Sequence, residues 1–390
     1  MQPGRPIPSL AGRKDTRLGS AAVSERERTR YRLISADSHV NEPGDLWTAR
    51  VPKQYVDRAP RMQAFEQGDA WVLEGVADPI NFGMNACAGL PPEEMVGWKR
   101  FSEIRRGGYD PAARLVEMHE DGVDAEVLYP TPRLSQAVFA YDDAGFHLAL
   151  VRAYNDWLAE YVGYAPDRFA GLALLPNRGA RDAVAEIERV QGRPGIRGVV
   201  MGCYPHGTLS PAPEDDAVYA HLAAAGMPLS IHVSLTQALP SAHRSPLPGY
   251  GRFFDAPNRI VELIFSGVFD RFPDLRVVVA EVDCGWVPYF KEQIDNNYKR
   301  LEPTSNFTVE ELPSVYVERN VHFTFITDTF GIRSRHDVGV DNMLWSSDYP
   351  HISADWPYSW RSIQAAMSGV PHNERDRMLA GNAARLYGFA

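Results

Sequence analysis

Five side chains with metal-binding chemistry lie in or just after short apolar runs at widely separated places in the chain. Asp37 and His39 end the first of these runs. His232 lies in a later run, and Glu281 and Asp348 follow two others. Three carboxylates brought together without a cation would repel one another, and one would have to take up a proton. Because imidazole and carboxylate are a common ligand set for divalent metals, the pattern predicts a metal site.

Each of these residues also has an ordinary structural explanation. A single buried histidine such as His232 is more often a hydrogen-bonded core residue than a metal ligand. A lone glutamate after an apolar run, as at Glu281, is costly to bury in its ionised form unless it is paired. The two side chains of the Asp37-x-His39 pair, by contrast, point to the same face of a strand and can reach one ion. Convergence of all five groups at one place would favour the metal.

Eight short, nearly all-apolar runs alternate with amphipathic helical patterns, and this alternation predicts how the five groups converge. Strands of this composition are typical of parallel sheets buried on both faces. We therefore predict an α/β fold, a (β/α)8 TIM barrel, whose strand ends meet in one pocket at the carboxyl-terminal face. A doubly wound open sheet is the alternative, but no GxGxxG or P-loop motif follows any run to favour it. The runs span residues 32–39, 125–131, 170–176, 196–202, 227–234, 275–283, 321–327 and 342–348.

Two connections are longer than the usual spacing between a strand and the next helix. They are insertions of about residues 45–115 after the first strand and 235–255 after the fifth. Since both leave the carboxyl ends of strands, we expect them to form a lid over the pocket. Apolar residues of the lid are candidates for substrate contact, although ordinary packing would explain each of them as well. These candidates are Phe82, Met84, Trp98, Phe101, Phe253 and Phe254. Trp286 either walls the pocket or packs on the next helix.

Other polar residues near the predicted strand ends have weaker claims on the site. Glu42 could be an outer ligand, a partner that orients His39 or a helix cap, and we favour the partner role. His206 follows the fourth strand, where its side chain either faces the pocket or is an ordinary residue of the loop. Asp328, just past the seventh strand, supports the site or caps the next helix. His119, on a helical pattern, and His243, in the second insertion, are expected to be surface residues.

The overall composition limits the partners of the chain. Its 390 residues carry a net charge of −10, with 44% hydrophobic and 23% charged residues, as in a globular protein with a large core. Neither nucleic acid nor an anionic membrane is drawn to an acidic surface, so we expect a small-molecule substrate. Residues 1–30 lack periodicity and are predicted to be a disordered or loosely docked tail, followed by the barrel at residues 31–390. Three widely spaced cysteines suit reduced thiols in the cytoplasm.

Four segments resemble the signature blocks of a known family. They are "ISADSHVNEPGDLW", "GVDAEVLYPT", "RFPDLRVVVAEVDCGWVPY" and "LWSSDYPHISADWP". They are similar to the amidohydrolase-related family of the amidohydrolase superfamily, which includes the aminocarboxymuconate-semialdehyde decarboxylase-like enzymes. The resemblance runs over nearly the whole chain after residue 30. It implies a distorted (β/α)8 barrel, one or two metal ions at the carboxyl ends of the strands, and a homodimer.

Carried over by motif, the resemblance implies that Asp37, His39, His232 and Asp348 are metal ligands. The chain departs from the common pattern at two of the five predicted positions. Asp37 stands where many relatives have histidine, and Glu281 stands where many have histidine on the sixth strand. Carboxylates in place of imidazoles favour iron or manganese relative to zinc, and one or two such divalent ions are the expected cofactor.

The residues support two reactions on this scaffold. In the first, a metal-activated water makes the protein a hydrolase, or the metal orients a carboxylate for loss of CO₂. Asp348 then acts as a metal ligand and general base, and His351 acts as a proton shuttle or substrate contact. His232 is the third residue predicted to be catalytic. In the second, a non-heme diiron oxygenase hydroxylates an apolar substrate with O₂, because carboxylate-rich sets also hold iron pairs. A binding scaffold without catalysis is a third reading, but each ligand-bearing strand retains a ligand-capable side chain.

Overall fold

A sheet of eight parallel strands forms the core of the chain, for which a computed structural model describes residues 30–240, 255–306 and 309–389. The strands follow one another around the sheet in chain order, with helices between them, which is the arrangement of a (β/α)8 barrel. The predicted barrel is therefore confirmed. Its strands are β1 (Ile34–His39), β4 (Ala125–Tyr129), β5 (Phe169–Leu174), β6 (Ile196–Met201), β7 (Leu229–His232), β8 (Val277–Ala280), β9 (Val321–Phe325) and β10 (Met343–Trp345).

The strands form where the sequence is short, apolar and rich in β-branched residues. Every residue of β1, β4, β5, β8 and β10 is buried, as expected for strands covered on both faces. Each pair of neighbours from β1–β4 round to β9–β10 has parallel register. Seven of the eight predicted runs contain one of these strands, and the run 170–176 overlaps β5, which begins one residue earlier. The carboxyl ends therefore lie at one mouth.

The barrel has a seam between β10 and β1. Within the described residues, no ladder of backbone hydrogen bonds pairs these two strands. The loop after β10 closes the seam instead: the Asp348 N–H donates to the carbonyl of Asp37 (2.9 Å), and the His39 N–H donates to the carbonyl of Tyr349 (2.6 Å). The hydroxyls of Ser35 and Ser347 meet across it at 3.0 Å. Side chains and single backbone bonds thus replace a ladder there.

The first insertion builds a small subdomain on the mouth. It contains an antiparallel pair, β2 (Arg61–Phe65) and β3 (Gly68–Val72), and short helical turns. The N–H groups of Cys87 and Ala88 both donate to the carbonyl of Pro350, and the Ile352 N–H donates to the carbonyl of Met84. The insertion is therefore fastened to the loop that follows β10. Of the second insertion, residues 241–254, which include the predicted Phe253, Phe254 and His243, lie outside the described residues, as do residues 1–29 of the tail predicted at 1–30.

The helices begin and end at sequence signals that are visible in the printed chain. Helix α2 (Pro111–Asp121) is capped at its start by Asp110, whose carboxylate accepts from the N–H groups of Ala112 and Ala113, and at its end by Gly122 in the left-handed conformation. The helices are α1 (Leu46–Arg50), α2 (Pro111–Asp121), α3 (Pro132–Ala140), α4 (Ala144–Val162), α5 (Ala180–Val190), α6 (Asp216–Ala225), α7 (Asp255–Phe265), α8 (Val268–Arg271), α9 (Val287–Leu301), α10 (Pro313–Asn320), α11 (Thr329–Arg333), α12 (Arg335–Val338), α13 (Ser359–Ala366), α14 (His372–Asp376) and α15 (Asn382–Tyr387). Among the described residues, no helix is long and apolar enough to cross a membrane.

The pattern of residues 373–390 predicts one final helix, but the described part of this segment contains two. A π-helical turn at Arg377–Gly381 separates α14 from α15. Directly after that turn, the Asn382 side-chain amide donates to the carbonyls of Val340 and Met343, which ties α15 to the start of β10. Glycine at 381 weakens the helix at this point, and the wider turn lets Asn382 face the barrel.

A buried histidine on α4, His147, is expected to make the fold sensitive to acid. The His147 Nδ1 lies 2.7 Å from the carbonyl of Val138, and its Nε2 accepts from the Asn177 N–H at 3.1 Å. The Nε2 contact needs a neutral ring, because a protonated Nε2 cannot accept a hydrogen bond, and burial lowers the pKa of His147 to about 4. Between pH 6.5 and 4 the unfolded chain takes up a proton that the folded chain does not, so the free energy of unfolding falls as pH falls.

We expect His147→Gln to be less stable than wild type at pH 8 but to lose about 3 kcal/mol less stability between pH 6.5 and pH 4. Denaturant unfolding at several pH values measures both curves. His119, which is exposed on α2, offers the matched control, because His119→Gln should follow the wild-type curve. Parallel curves for wild type and His147→Gln would contradict the assignment.

Candidate metal centre

The five predicted ligands lie at the carboxyl ends of four barrel strands. Asp37 and His39 are on β1, and His232 is the last residue of β7. Glu281 follows β8 directly, and Asp348 lies three residues past β10. Glu281 and Asp348 both have left-handed backbones, with φ of 62° and 54°. A non-glycine residue held there costs about 1–3 kcal/mol, and such strain concentrates at functional sites.

His39 is the centre of the cluster. Its Nε2 lies 3.4 Å from Oδ1 of Asp37, 3.3 Å from Oδ1 of Asp348 and 3.2 Å from Nε2 of His232. Beyond it, the His232 Nε2 lies 3.2 Å from Oε2 of Glu281. The side chains of Asp37, His39 and Asp348 are fully buried, while His232 and Glu281 are 11% and 13% exposed. The cluster therefore opens to solvent on the side of β7 and β8.

The surrounding structure aims these donor atoms. The His39 Nδ1 lies 2.9 Å from the carbonyl of Pro130, which assigns the proton to Nδ1 and leaves Nε2 to face the cluster. The Thr324 hydroxyl donates to Oδ2 of Asp37 at 3.3 Å, and the Ser353 hydroxyl donates to Oδ2 of Asp348. In both aspartates the other oxygen, Oδ1, is thus directed at His39.

The electrostatics of the cluster reflect two buried acids around one imidazole. Burial by itself would lower the pKa of His39, but the carboxylates of Asp348 and Asp37 outweigh it and raise that pKa to about 10. Burial would raise the pKa of Asp348, yet the neighbouring His351 and His39 hold it far below its usual range. Burial lowers the pKa of His232 to about 4. A positive charge at the centre of the cluster would therefore stabilise the buried carboxylates.

The donor atoms fit a divalent metal ion. Oδ1 of Asp37 is buried and accepts no hydrogen bond from the described residues. The Nε2 atoms of His39 and His232 face one another, so two nitrogen lone pairs and a carboxylate oxygen are aimed at the same region. Two overlapping groups of donors each lie within 4.8 Å of one another: Asp37, His39 and His232, and His39, Glu281, Asp348 and His351. The inventory suits one ion or two, with the Nε2 atom of His39 available to only one of them.

His351 is part of this cluster as well. Its ring stacks on that of His39, with centroids 3.8 Å apart and planes 18° apart. Its Nδ1 lies 2.9 Å from Oδ1 of Asp348, and the residue is nearly buried. An imidazole held against a buried carboxylate is a group that can hold or pass a proton.

Glu42 and His206, two of the weaker site candidates, have hydrogen-bond partners outside the cluster. Glu42 is buried, and its Oε1 accepts from the Thr131 N–H at 3.0 Å, while the Nδ1 of His39 contacts Pro130 instead of Glu42. Burial raises the pKa of Glu42. Both ring nitrogens of His206 are engaged in its own loop, by Asp215 and Thr208.

Asp328 caps α11 and at the same time supports the β8 loop. Its carboxylate accepts from the Gly331 N–H at the start of α11 (2.7 Å). It also accepts from the N–H groups of Cys284 (2.6 Å) and Gly285 (2.7 Å), three and four residues after Glu281. Asp328 thereby combines the two roles that the sequence left open, a helix cap and a support for the loop that carries Glu281.

The predicted substrate-contact residues lie in apolar packing of the insertion and the outer layer. Phe82 is buried with Ala86 and Ile104 beside a small cavity next to Glu42. The ring of Trp98 packs against Phe65, 5.9 Å between centroids. Trp286 donates to the carbonyl of Val282 and packs on Phe290 and Phe323, so it packs on the next helix. Phe254 lies outside the described residues.

The sequence reasoning missed the polar residues behind the cluster. Arg114 and Glu126 are both buried and form an ion pair with 2.6 Å between Nε and Oε2. Glu126 was detectable as a charged residue inside the apolar run "AEVLYPT", and a buried charge demands a partner. No comparable sequence signal marks Arg114, because an arginine at its position in the helical pattern resembles an ordinary surface residue.

A parallel barrel with a histidine and carboxylate cluster at the carboxyl ends of its strands is the architecture of a barrel enzyme. Comparison with known proteins specifies the family. The family profile Amidohydro_2, described as amidohydrolase, matches residues 53–389. The chain therefore belongs to the amidohydrolase family, as the sequence motifs predicted.

Individual relatives are decarboxylases. A gamma-resorcylate decarboxylase from Polaromonas sp. strain JS666 is 26% identical over 326 residues, covering 77% of this chain and 93% of the relative. A 2-amino-3-carboxymuconate-6-semialdehyde decarboxylase from Dictyostelium discoideum is 29% identical over 306 residues, covering 76% and 81%. Neither relative supports the oxygenase alternative.

Solved structures share the fold. An amidohydrolase from Mycobacterium avium subsp. paratuberculosis K-10 superposes with a TM-score of 0.73 at 23% identity, covering 92% of this chain and 98% of that one. A dihydroxybenzoic acid decarboxylase from Polaromonas sp. JS666, which contains bound manganese, superposes with a TM-score of 0.61 at 18% identity, covering 91% and 96%.

If the cluster is a metal site, Mn²⁺ should stabilise the wild-type protein, by about 2.7 kcal/mol at one hundred times its dissociation constant. His232→Ala and Asp348→Ala should each abolish this gain while remaining folded, because each removes a donor from the cluster. Titration calorimetry and thermal unfolding with and without Mn²⁺ measure the effect. His206→Ala should retain binding. A full Mn²⁺ response in either ligand variant would contradict the proposed ligand set.

Proposed function

We propose that the chain is a metal-dependent decarboxylase that removes CO₂ from a small organic acid. The observation that supports this most is the convergence of Asp37, His232 and Asp348 on the Nε2 atom of His39, in a chain several of whose relatives are decarboxylases. These four residues would hold the ion, with Glu281 adjoining it through His232. A divalent ion there would supply Lewis-acid chemistry by polarising a carboxylate or adjacent oxygen of the substrate.

Manganese is the ion that the donor set favours. Two or three carboxylates with two imidazoles form a harder and more anionic set than the all-histidine sites typical of zinc. The structurally similar decarboxylase from Polaromonas contains manganese, which agrees with this preference.

The protein's own residues would handle the proton that the reaction consumes. Loss of CO₂ breaks a carbon–carbon bond, and the electron pair left on carbon must take a proton. We assign its delivery to His351; in support, the Nδ1 of His351 contacts Oδ1 of Asp348, and an imidazolium would be stabilised by that carboxylate. Stacking on His39 holds the ring beside the donor atoms.

The buried position of the cluster serves the same reaction. Asp37, His39 and Asp348 have no exposed surface, and the insertion is fastened over the loop that carries His351. Exclusion of water strengthens electrostatic interactions within the site and protects a carbanion-like species from uncontrolled protonation.

Hydrolysis is the second candidate function, favoured by the position of Asp348. Its Oδ1 faces the centre of the cluster, where a general base for a water nucleophile would lie. The two reactions differ in product, since decarboxylation releases CO₂ and hydrolysis of an ester or amide does not.

The experiment is turnover of Mn²⁺-loaded protein with a panel of hydroxybenzoic and unsaturated dicarboxylic acids, with CO₂ release measured in air and under argon. We expect CO₂ release that matches acid consumption and is the same in both atmospheres. Cleavage of esters or amides without CO₂ would support the hydrolase, and dependence on O₂ would overturn both proposals.

His351→Phe should lower kcat by about 10²–10⁴-fold while leaving Mn²⁺ content unchanged, because the stacked ring remains and the proton donor is lost. Steady-state kinetics and elemental analysis of the same preparation measure this. His336→Phe, at an exposed histidine of α12, is the control and should behave as wild type. An unchanged kcat in His351→Phe would exclude the proton role without affecting the metal site.

We also propose a homodimer in a reducing cytoplasm. The three cysteines are free thiols and all are buried, which is compatible with a reducing compartment. Light scattering of the purified protein tests the assembly.

A further inference from the structure

The seam between β10 and β1 carries three of the four proposed principal ligands. Asp37 and His39 lie on one side of it and Asp348 on the other. Elsewhere in the barrel, ladders of backbone hydrogen bonds fix each strand against the next. At the seam, two single backbone hydrogen bonds, from Asp348 to Asp37 and from His39 to Tyr349, hold the two sides together. The relative position of the ligands therefore depends on whatever holds the seam.

Arg114, from α2, reaches both sides of the seam. One of its terminal nitrogens donates to the carbonyl of His39 at 2.9 Å, and the other approaches the carbonyl of Tyr349 at 3.5 Å. The guanidinium also lies over the Tyr349 ring, 4.5 Å from its centroid. The side chain has no exposed surface. A planar guanidinium presents its donors in fixed directions, so these contacts constrain the backbone on either side of the seam.

Glu126, on β4, completes the connection. Its Oε2 accepts from Nε of Arg114 at 2.6 Å, and its Oε1 accepts from the Ser38 hydroxyl at 3.2 Å. Ser38 lies between Asp37 and His39, and its hydroxyl contacts that of Ser347, the residue before Asp348, at 3.1 Å. A continuous chain of hydrogen bonds thus runs from Arg114 to residues next to all three ligands.

We infer that Arg114 and Glu126 are positioning residues for the metal centre, and that with Ser38 and Ser347 they hold the seam ligands in register. A buried ion pair is weak evidence for stability, since apolar residues of similar volume often stabilise a fold equally well. What apolar residues cannot supply is directional bonding to the carbonyls of His39 and Tyr349. Outer contacts of this kind tune metal affinity by about 10–100-fold.

This inference rests on the proposed function, and Arg114→Lys is the variant that tests it. Lysine retains the charge opposite Glu126, so the thermal midpoint should stay within a few degrees of wild type. Its single nitrogen cannot occupy the three positions from which the guanidinium nitrogens contact Glu126 and the two carbonyls, so the dissociation constant for Mn²⁺ should rise by about 10-fold or more. Calorimetric titration of Mn²⁺ measures the binding without any substrate. A purely structural role predicts instead that Arg114→Lys retains both the stability and the Mn²⁺ affinity of the wild-type protein.

Ser38→Ala gives a milder test that does not disturb the buried charges. It removes one hydrogen bond to Glu126 and should weaken Mn²⁺ binding by about 3–10-fold. Ser359→Ala is the matched control. It removes an equally buried bond, from the Ser359 hydroxyl to Oδ2 of Asp121 (2.6 Å), between outer elements of the barrel. That variant should bind Mn²⁺ as wild type does.

The outcomes separate the two proposals. Wild-type protein that binds no divalent metal would overturn the proposed function. Wild-type protein that binds Mn²⁺, together with unchanged affinity in Arg114→Lys and Ser38→Ala, would overturn the positioning inference and leave the function standing. A loss of affinity in Ser359→Ala equal to that in Ser38→Ala would also overturn it, since the effect would then follow any buried serine.

Discussion

Two buried carboxylates that face one imidazole are the constraint on which the rest of the site depends. Asp37 and Asp348 each present an oxygen to Nε2 of His39 at 3.3–3.4 Å, and neither side chain is exposed. Without a compensating cation this arrangement is unfavourable, because like charges lie close together away from water. A metal ion bound there would supply that charge, and the site would then have to keep its donors from moving apart.

Much of the surrounding structure can be understood as the means of holding those donors. Pro130 orients His39 through its carbonyl, Thr324 and Ser353 each bond the outer oxygen of one aspartate, and left-handed backbones turn Glu281 and Asp348 inward. Each of these contacts contributes little to the stability of the fold, and the left-handed backbones add strain. Their common effect is a fixed geometry, which is what metal-dependent catalysis requires.

The barrel family hosts many reactions, so the chemistry must be argued from the site. Glu281 contacts His232, and His351 contacts Asp348. Under the proposed function, His351 would be a proton donor beside the metal, and Glu281 would make the donor set richer in oxygen.

The printed sequence determined the eight strands, their parallel barrel and the five ligand candidates, because apolar runs and the polar residues at their ends are local patterns. It did not reveal Arg114, whose helix position resembles a surface site, nor the seam that Arg114 spans. It left Asp328 undecided between cap and support, and the structure shows it in both roles. Those features depend on distances between segments up to hundreds of residues apart. Only the tertiary structure decides them, since hydrogen bonds across the seam arise from how the barrel closes and not from any local preference.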